Sequence, residues 1–575
     1  MMDTKSEKDI KDKEKKDEDL RMSAAMVFFA ILFVAGVPLW WHLTTVERVD
    51  LPSARIEKLN QTLTFVTTNI SIISEDDKQS ETLAKALSTA LQDSSILKYN
   101  MKVGSAPQDK SLSPEVLESI PGFHPSSPGV YQLVLCPQLE SNRVLFGSHR
   151  TVYFSKSVDI PTLSRAVTDH LLQEHLLLQA KDAITPPDLA EHNATATAQR
   201  SQKKSQSKQS QQQDPAHLRR VRLSSEFDLI LTAIVPDPDR IKLEWDFQLA
   251  TKGYLEPLFN QLSNMSKYSV KSQWLYHVDL DQTPSKTKEQ TYLISQRQMS
   301  HIVSSLEKKL GSYASKNPVI HLVLYVTECS HVPLLFTNNA GVTSLAMISD
   351  RWGSIQIVNP QPNENCKQGQ AFQPEAHPVM SVFLNDLKQL LGVKNIKTMD
   401  NIEVVTHNAA LLTDWEIDAL YRIRTLEQIT SSKLTLSSLI QLLNQISNIV
   451  ITSEVGDAVT EAVSSVEIAL DALTQGQLGI ALDLSHVAFN RSEFAFTHPS
   501  LLALLYFPDD QKYVQRYAVY IPLFLPVMIP VILSLHAILN WAKKRIPENI
   551  LKNIHLPCIP DQTQLYDNAE EDNED

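Results

Sequence analysis

Two apolar segments, one near each end of the chain, limit what this polypeptide can fold into. Residues 23–43 and 517–541 are each long enough to cross a hydrocarbon core of about 30 Å as a helix. Seven Lys and Arg residues precede the first segment, and Lys543, Lys544 and Arg545 follow the second. Because basic residues mark the cytoplasmic side, the sequence predicts two transmembrane helices, with both termini in the cytosol and the remainder on the luminal side. A cleaved signal peptide is the alternative for the first segment.

Three prolines interrupt the second apolar segment. Pro522, Pro526 and Pro530 each remove a backbone N–H donor and crowd the preceding turn. Inside lipid, a carbonyl group that loses its helical partner needs another one. We therefore interpret this proline face as a surface that packs against helices of another membrane protein. A kinked but solitary helix is the alternative.

The composition excludes several classes of function. The formal net charge of −13 argues against broad nucleic-acid binding, and 14 glycines in 575 residues argue against a Gly-rich phosphate loop. The four cysteines are widely spaced and form no CxxC pair, so the sequence indicates neither a disulfide framework nor a cysteine zinc site. A disulfide among Cys136, Cys329 and Cys366 stays open. No metal and no cofactor are predicted.

The pattern between the apolar segments predicts two α/β parts and a helical part. Strand and helix patterns alternate in 44–195 and again in 223–412, where continuous apolar runs such as 319–326 suit strands buried on both faces. The Gln/Ser/Lys-rich stretch 196–222 cannot build a core, and we interpret it as a solvated loop rather than a site for acidic partners. From 413 to 510, apolar stripes at helical spacing predict a small bundle.

The predicted fold class is therefore an α/β luminal domain with a mixed sheet plus a small helical bundle, flanked by two transmembrane helices. Charged residues dominate 1–22, and the chain ends in an acidic run within 542–575. Such stretches are usually solvated. We expect both to be cytosolic tails.

Five N-x-S/T sequons lie between the apolar segments, at Asn60, Asn69, Asn193, Asn264 and Asn490. Asn264 is the favoured site because it follows a predicted helix in a polar turn. Asn60 is the least favoured because it is close to the membrane. We predict glycosylation at Asn264, Asn193, Asn490 and Asn69, and an unmodified surface asparagine is the alternative at each.

Two short motifs are candidates for catalysis. Cys329 and His331 resemble the pair that cysteine proteases use, but two neighbours on one strand rarely supply a separate base and an oxyanion hole. We favour a packed cysteine and a capping histidine. Asp279 and Asp281 have the D-x-D spacing of metal-dependent glycosyltransferases, and alternate carboxylates face the same way on an extended strand.

A third group of polar residues lies on one predicted helix, 161–180. His170 and Glu174 are one turn apart on it and could pair, with His175 next to them. No HExxH motif is present, so we favour a polar helix face over a zinc site. Without a convincing active site, the sequence favours a structural or scaffolding protein over an enzyme.

Several stretches resemble the PIG-S subunit family of the GPI transamidase complex. The resemblance is most specific at 498–535, "HPSLLALLYFPDDQKYVQRYAVYIPLFLPVMIPVILSL". It extends to "SNIVI" (447–451), "GVPLWWHLTTVERVDLP" (36–52), "SVKSQWLYHV", "HLVLYV" and "RWGSIQIVN" (351–359), so that it covers most of the chain in order and spacing. The insertion at 201–213, the long charged N-terminal tract and the acidic tail depart from the family pattern.

The resemblance implies a two-pass protein of the endoplasmic reticulum membrane with a large luminal domain. The family's complex cleaves a C-terminal signal from a precursor protein and joins the new carboxyl end to a GPI lipid. Its cysteine nucleophile belongs to PIG-K, and PIG-T, PIG-U and an aminopeptidase-like subunit are the other partners. The PIG-S subunit is regarded as non-catalytic, so no catalytic residue carries over. The alternatives are a luminal glycosyltransferase using Asp279 and Asp281, and a two-span adaptor unrelated to lipid anchoring.

Overall fold

The computed structural model describes the following parts of the chain: 3–36, 38, 48–91, 94–104, 113–140, 142–184, 220–221, 224–361, 370–393, 402–404, 411–445, 451–502 and 528–541. The α-helices there are α1 (Asp3–Ile31), α2 (Ser53–Gln61), α3 (Asp77–Ala90), α4 (Pro114–Glu118), α5 (Ile160–Arg165), α6 (Glu174–Ile184), α7 (Phe247–Ala250), α8 (Glu256–Leu262), α9 (Met299–Glu307), α10 (Ala376–Leu391), α11 (Asp414–Gln445), α12 (Ser453–Gln475), α13 (Leu478–Phe496), α14 (Pro499–Leu502) and α15 (Met528–Trp541). The strands are β1 (Val66–Ile73), β2 (Leu97–Val103), β3 (Val130–Leu135), β4 (Val144–Phe146), β5 (Thr151–Phe154), β6 (Glu226–Val235), β7 (Ile241–Leu243), β8 (Lys267–Tyr276), β9 (Ser285–Lys286), β10 (Tyr292–Ser295), β11 (Val319–Val326), β12 (Leu334–Thr337), β13 (Thr343–Ser344), β14 (Ala346–Ser349), β15 (Gly353–Val358), β16 (Gln370–Phe372) and β17 (Ile402–Val404).

Residues 23–36 of the first apolar segment lie in a helix that already begins in the charged stretch before them. Helix α1 continues into a π-helical turn, Leu32–Gly36. Its part Lys13–Gly36 is long and apolar enough to cross a membrane, and in the described ranges no other helix meets that criterion. Helix α15 is apolar but shorter, and residues 503–527 lie outside the described residues. The second transmembrane helix therefore stays a prediction.

The first sheet is mixed and has six strands, in the order β17-β4-β5-β3-β1-β2. Strands β2, β1, β3 and β5 run parallel, and β4 runs antiparallel to β5. Strand β1 alternates buried and half-buried side chains, whereas β5 is buried at all its positions. The edge strand β17 pairs Ile402 with Val144 of β4. The chain therefore returns to complete this sheet after it has built the second one.

The second sheet has five strands in the order β14-β15-β11-β6-β8, with only β14 antiparallel to its neighbour. Strands β6 and β11 are buried along nearly their whole length, as their continuous apolar runs predict. Ile302 and Leu306 of α9 pack into the same core as Val323 of β11. A four-stranded sheet, β13-β12-β10-β9, and the pair β16-β7 accompany it. The predicted α/β class with a mixed sheet is confirmed.

Helix α11 is the central helix of this part of the molecule. The sequence starts it with a capping arrangement: the carboxylate of Glu416 accepts hydrogen bonds from the backbone N–H (2.8 Å) and the hydroxyl (2.9 Å) of Thr413. Every residue from 417 to 429 is buried. A helix buried on all sides lies inside a core, so our expectation of a single apolar stripe is wrong for this half of the helix. Helices α12 and α13 pack beside it and complete the predicted bundle.

The predicted single helix over 161–180 is also wrong. Helix α5 passes into a π-helical turn, Ala166–Leu171, and Gln173 then has a left-handed backbone with φ 52°. Few residues other than glycine adopt this conformation, so the sequence gives no warning of the break. Helix α6 begins at the next residue.

Candidate functional site

Cys329 and His331 share a short 3₁₀ turn directly after β11. Cys329 is disulfide-bonded, and its partner lies outside the described residues, as does Cys366. An oxidised cysteine has no thiolate to act as a nucleophile. His331 instead lies 3.4 Å from the carboxylate of Glu328. The structure therefore supports a packed cysteine and not a catalytic pair. Cys136 is a free, buried thiol, and burial raises its pKa to about 12.

Asp279 and Asp281 do not lie on an extended strand, so that expectation is wrong. Strand β8 ends at Tyr276, and His277 and Asp281 both adopt left-handed backbone conformations, with φ 56° and 54°. These two turns take the motif out of the sheet, and alternate side chains no longer face one way.

Each of the two carboxylates is occupied by a different set of donors. Asp279 accepts a hydrogen bond from the Tyr325 hydroxyl at 2.8 Å. Asp281 accepts one from Lys309 at 2.9 Å and another from the Ser305 hydroxyl, and these hydrogen bonds lower the pKa of Asp281. The pair is therefore not a convergent metal-holding site, and the glycosyltransferase alternative loses its basis.

The polar residues of the predicted helix 161–180 are also separated. Glu174 accepts a hydrogen bond from the Ser94 hydroxyl at 2.6 Å instead of pairing with His170. His170 is buried, and its ring lies edge-on to Phe146 with a centroid distance of 6.3 Å. His170 therefore belongs to the core, and Glu174 connects α6 to the loop before β2.

The most densely connected polar site is the contact between the central helix and the first sheet. Asp418 of α11 is fully buried and forms a bidentate ion pair with Arg150, at 2.8 Å and 2.9 Å. The same carboxylate accepts hydrogen bonds from the Gly129 backbone N–H and the Tyr131 hydroxyl, both at 3.0 Å. Burial alone lowers the pKa of Arg150, but the hydrogen bond and charge of Asp418 outweigh it and the pKa is raised. The guanidinium is therefore held in its charged form.

We call this contact of Asp418 with Arg150, Gly129 and Tyr131 the docking site of the central helix. Two further contacts extend it along the helix. Arg422, one turn after Asp418, donates to the Tyr131 hydroxyl and, at 3.0 Å, to the Leu171 carbonyl. Trp415 lies one turn before Asp418 on the same helix, and its ring N–H donates to the Gly147 carbonyl at 3.0 Å. Buried polar networks of this kind fix one arrangement, since each group left unpaired is costly.

The central helix is connected in the same way to Arg220, at the end of the stretch 196–222. The expectation of a solvated loop is wrong for these last residues, because Val221 is buried and its N–H donates to the Leu390 carbonyl of the second α/β part. Glu427 pairs with Arg220, and the two side chains are largely buried. Gln261 makes two hydrogen bonds to the backbone of Leu412, at 3.0 Å and 3.1 Å. Our reading of the sequence missed this network. Its only signal is a run of charged residues inside an otherwise apolar helical stretch, "DWEIDALYRIRTLEQI".

The sequons differ in how accessible the structure leaves them. Asn264 is exposed after α8, with its amide 3.5 Å from the Tyr421 hydroxyl, and Asn490 is exposed on α13. Asn69 is half-buried on β1, and its amide nitrogen would lie 2.6 Å from a Cβ placed at Gly476. Asn193 lies outside the described residues. Asn60, the least favoured sequon, is also exposed, on α2, so the structure leaves Asn60, Asn264 and Asn490 accessible.

Of the three prolines, Pro530 lies in α15 with its side chain exposed, and Pro522 and Pro526 lie outside the described residues. Exposed apolar side chains surround Pro530 along this helix, among them Ile529, Ile532 and Leu533.

The chain is similar to known proteins over nearly its whole length. A family model described as PIG-S, phosphatidylinositol-glycan biosynthesis class S protein, matches residues 27–545. The GPI-anchor transamidase component PIGS of Mus musculus is 30% identical over 562 residues, which cover 92% of this chain and 97% of the mouse protein. The Homo sapiens protein of the same name is 30% identical over 567 residues, covering 91% and 96%. The GPI transamidase component PIG-S homolog of Schizosaccharomyces pombe is 25% identical over 504 residues, covering 87% and 81%. A family match of this extent, reproduced by animal and fungal relatives, shows that the chain belongs to the PIG-S family.

Proposed function

We propose that this chain is a non-catalytic component of a GPI transamidase in the endoplasmic reticulum membrane, where its luminal part serves as a rigid support for the other subunits. The observation that carries the proposal is the family match over residues 27–545, together with relatives that are named as GPI-anchor transamidase components. The complex attaches GPI anchors to precursor proteins.

The state of the candidate catalytic groups supports a non-catalytic role. Cys329 is oxidised, and Asp279 and Asp281 are each engaged by different donors. A catalytic nucleophile or metal-holding pair needs groups that are available to the substrate and that converge on one point. The cysteine that forms the acyl intermediate would then belong to a partner chain.

The central helix supports the idea of a rigid support. Helix α11 is tied to the first sheet through Asp418 and to the second α/β part through Glu427. A helix that is fixed by buried, directional contacts to both parts restricts hinge motion between them. Such a unit suits a subunit that holds partners at fixed positions.

The partners we propose are PIG-K, PIG-T, PIG-U and the aminopeptidase-like subunit. The test is affinity purification of the tagged full chain in mild detergent, followed by identification of the co-purifying proteins by mass spectrometry. We expect all four partners. If none of the four co-purifies, the proposal is contradicted. The alternative of a two-span adaptor unrelated to lipid anchoring would then be favoured.

The non-catalytic role has its own test in cells that lack this chain. Asp279→Asn combined with Asp281→Asn should restore surface display of a GPI-anchored reporter as well as the unchanged protein does. The matched control is Asp237→Asn with Asp239→Asn, which has the same D-x-D spacing elsewhere on the surface. Loss of anchoring in the first variant alone, with the complex intact, would show a catalytic contribution.

The proposed membrane arrangement is two spans with both termini in the cytosol. In sealed microsomes, added protease should shorten the chain only by its terminal tails and leave the part between 44 and 510 intact until detergent is added. Digestion of that part without detergent would refute the arrangement.

We also propose that the face carrying Pro522, Pro526 and Pro530 packs against helices of a partner subunit. Replacing all three with leucine should lower the yield of co-purified partners. Val531→Leu with Ile532→Leu is the control, because it changes apolar side chains of the same helix without restoring backbone donors. An unchanged partner yield in the triple variant would favour a solitary, kinked helix.

A further inference from the structure

Three potential metal ligands meet beside the docking site of the central helix. Glu118 ends helix α4, His124 lies in the loop before β3, and His149 lies between β4 and β5. Each can present one ligand atom, and these atoms lie within 4.8 Å of one another. The two imidazole rings are tilted against each other, with a centroid distance of 4.6 Å and an interplanar angle of 32°.

Every member of this cluster is oriented by a second group. Nδ1 of His149 lies 3.0 Å from the Asp414 carboxylate, and Nδ1 of His124 lies 2.8 Å from the Thr151 hydroxyl. Glu118 accepts a hydrogen bond from the Tyr153 hydroxyl at 3.0 Å. Histidines that bind metals almost always have the other ring nitrogen fixed by a carboxylate, carbonyl or hydroxyl-like partner. The arrangement therefore leaves Nε2 of both rings, and one carboxylate oxygen, to face a ligand.

One of these potential ligand atoms lacks a hydrogen-bond partner among the described residues. Nε2 of His124 is buried, and within the described part of the chain it has no hydrogen-bond partner. The backbone carbonyl groups of Leu117 and Glu118 approach the same ring and compete with a ligand for its N–H. Buried polar atoms are normally satisfied, so a bound ligand would complete the surroundings of this nitrogen.

The backbone leaves room for the carboxylate. A Cβ at Gly147 would lie 2.0 Å from an oxygen of Glu118, so any larger residue there would displace that side chain from the cluster. Gly147 also accepts the hydrogen bond from Trp415. The same short segment thus contacts both the cluster and the central helix.

We propose that Glu118, His124 and His149 bind one Zn²⁺ ion. Two imidazole nitrogens and a carboxylate oxygen are a donor set that zinc prefers, with a fourth tetrahedral position left for water or a ligand from another chain. Calcium and magnesium prefer sets made of oxygen atoms only. Ligand atoms of tetrahedral zinc are about 3.4 Å apart, as its bonds of about 2.0–2.1 Å require. The three side chains therefore move together by about 1 Å when the ion binds.

The ion would connect three segments of the first α/β part at the start of the central helix. Asp414, which orients His149, is the first residue of α11. Zinc binding would therefore stabilise the docked position of α11, because a ligand that binds only the folded state raises its stability.

Zinc binding is measured on the purified full chain in detergent, after removal of metal with a chelator. We expect one equivalent of Zn²⁺ per chain and a rise of a few degrees in the thermal midpoint at a zinc concentration about 100-fold above the dissociation constant. Addition of Co²⁺ should produce the visible absorption of a tetrahedral site. His149→Ala, at an exposed position, should abolish both signals. Asp414→Asn should weaken the affinity by about 10- to 100-fold, as loss of an orienting partner does.

His301→Ala serves as the matched control, since this histidine is exposed on α9 and should leave binding unchanged. Binding to the unchanged protein does not depend on any variant folding correctly. Two results would overturn the proposal: no saturable Zn²⁺ binding by the unchanged chain, or equal affinity in the unchanged chain and in His149→Ala.

Discussion

Removal of the Asp418 carboxylate should destabilise the folded chain more than removal of any surface charge. Asp418→Ala leaves the Arg150 guanidinium, whose side chain is 9% exposed, with only the Asp414 carboxylate at 3.5 Å as a counter-charge. It also leaves the Gly129 N–H and the Tyr131 hydroxyl without their acceptor. Breaking a buried ion pair from one side costs about 3–5 kcal/mol, and the longer Asp414 contact offsets only part of that cost.

This free energy converts into a modest but measurable shift in melting temperature. The unit that contains Asp418, Val49–Ser447 with Ser453–His498, has about 450 residues. At about 2.1 cal/mol/K per residue, its entropy of unfolding is about 0.9 kcal/mol/K, so a loss of about 4 kcal/mol lowers the midpoint by about 4 °C. Intrinsic fluorescence of the full chain in detergent follows the transition, since Trp415 is buried next to the altered residue.

Glu461→Ala is the control for this experiment. Glu461 pairs with Arg491 at 2.8 Å, but both side chains are about half exposed. Exposed ion pairs contribute about 0–1 kcal/mol, so the midpoint should fall by about 1 °C or less. Equal midpoints for Asp418→Ala and the unchanged protein would refute the assignment of the buried ion pair as a principal contact of the central helix.

Other predictions concern titration, thiol reactivity and glycosylation. Burial raises the pKa of Asp386 to about 6, so the stability that its protonated form contributes is complete below about pH 4 and is lost as the pH rises through 6. Asp386→Asn should therefore melt about 3 °C higher than the unchanged protein at pH 8, and at the same temperature near pH 4. A constant difference in melting temperature at both pH values would contradict this. Cys136 should react with a maleimide only after unfolding, and Cys329 only after reduction as well, so labelling of either in the native, unreduced chain would contradict the structure. Asn264→Gln and Asn490→Gln should each remove one glycan, seen as a mobility step that N-glycosidase abolishes, and identical mobility to the unchanged protein would show that the site is unused.

Sequence patterns predict the strands well where burial is continuous. The apolar runs of β6 and β11 identify both strands, because a strand covered on two faces leaves no polar position. The break at Gln173 could not be predicted, since nothing in the local sequence distinguishes a left-handed glutamine from a helical one. The same limit applies to His277 and Asp281, whose conformations remove the D-x-D motif from its expected strand.

The docking site could not be predicted because its partners are far apart in sequence. Asp418 and Arg150 are 268 residues apart, and no local pattern links them. Charged residues in α11 also obscure its burial, since a stretch with Arg422, Arg424 and Glu427 is typical of an exposed helix face. The family resemblance, by contrast, was available from the sequence alone, because it depends on residue order and not on three-dimensional contacts.

The late position of β17 in the chain has a consequence for biosynthesis. Strand β4 is an open sheet edge until residues 402–404 reach it, and Arg150 lacks both of its carboxylate partners until Asp414 and Asp418 follow. At translation rates of about 5–20 residues per second, this interval lasts on the order of 10–50 s. An unprotected edge is a template for pairing with the wrong chain. The first sheet of the nascent protein therefore cannot be completed before the second part is made, and we expect a chaperone that shields the β4 edge during that delay to raise the yield.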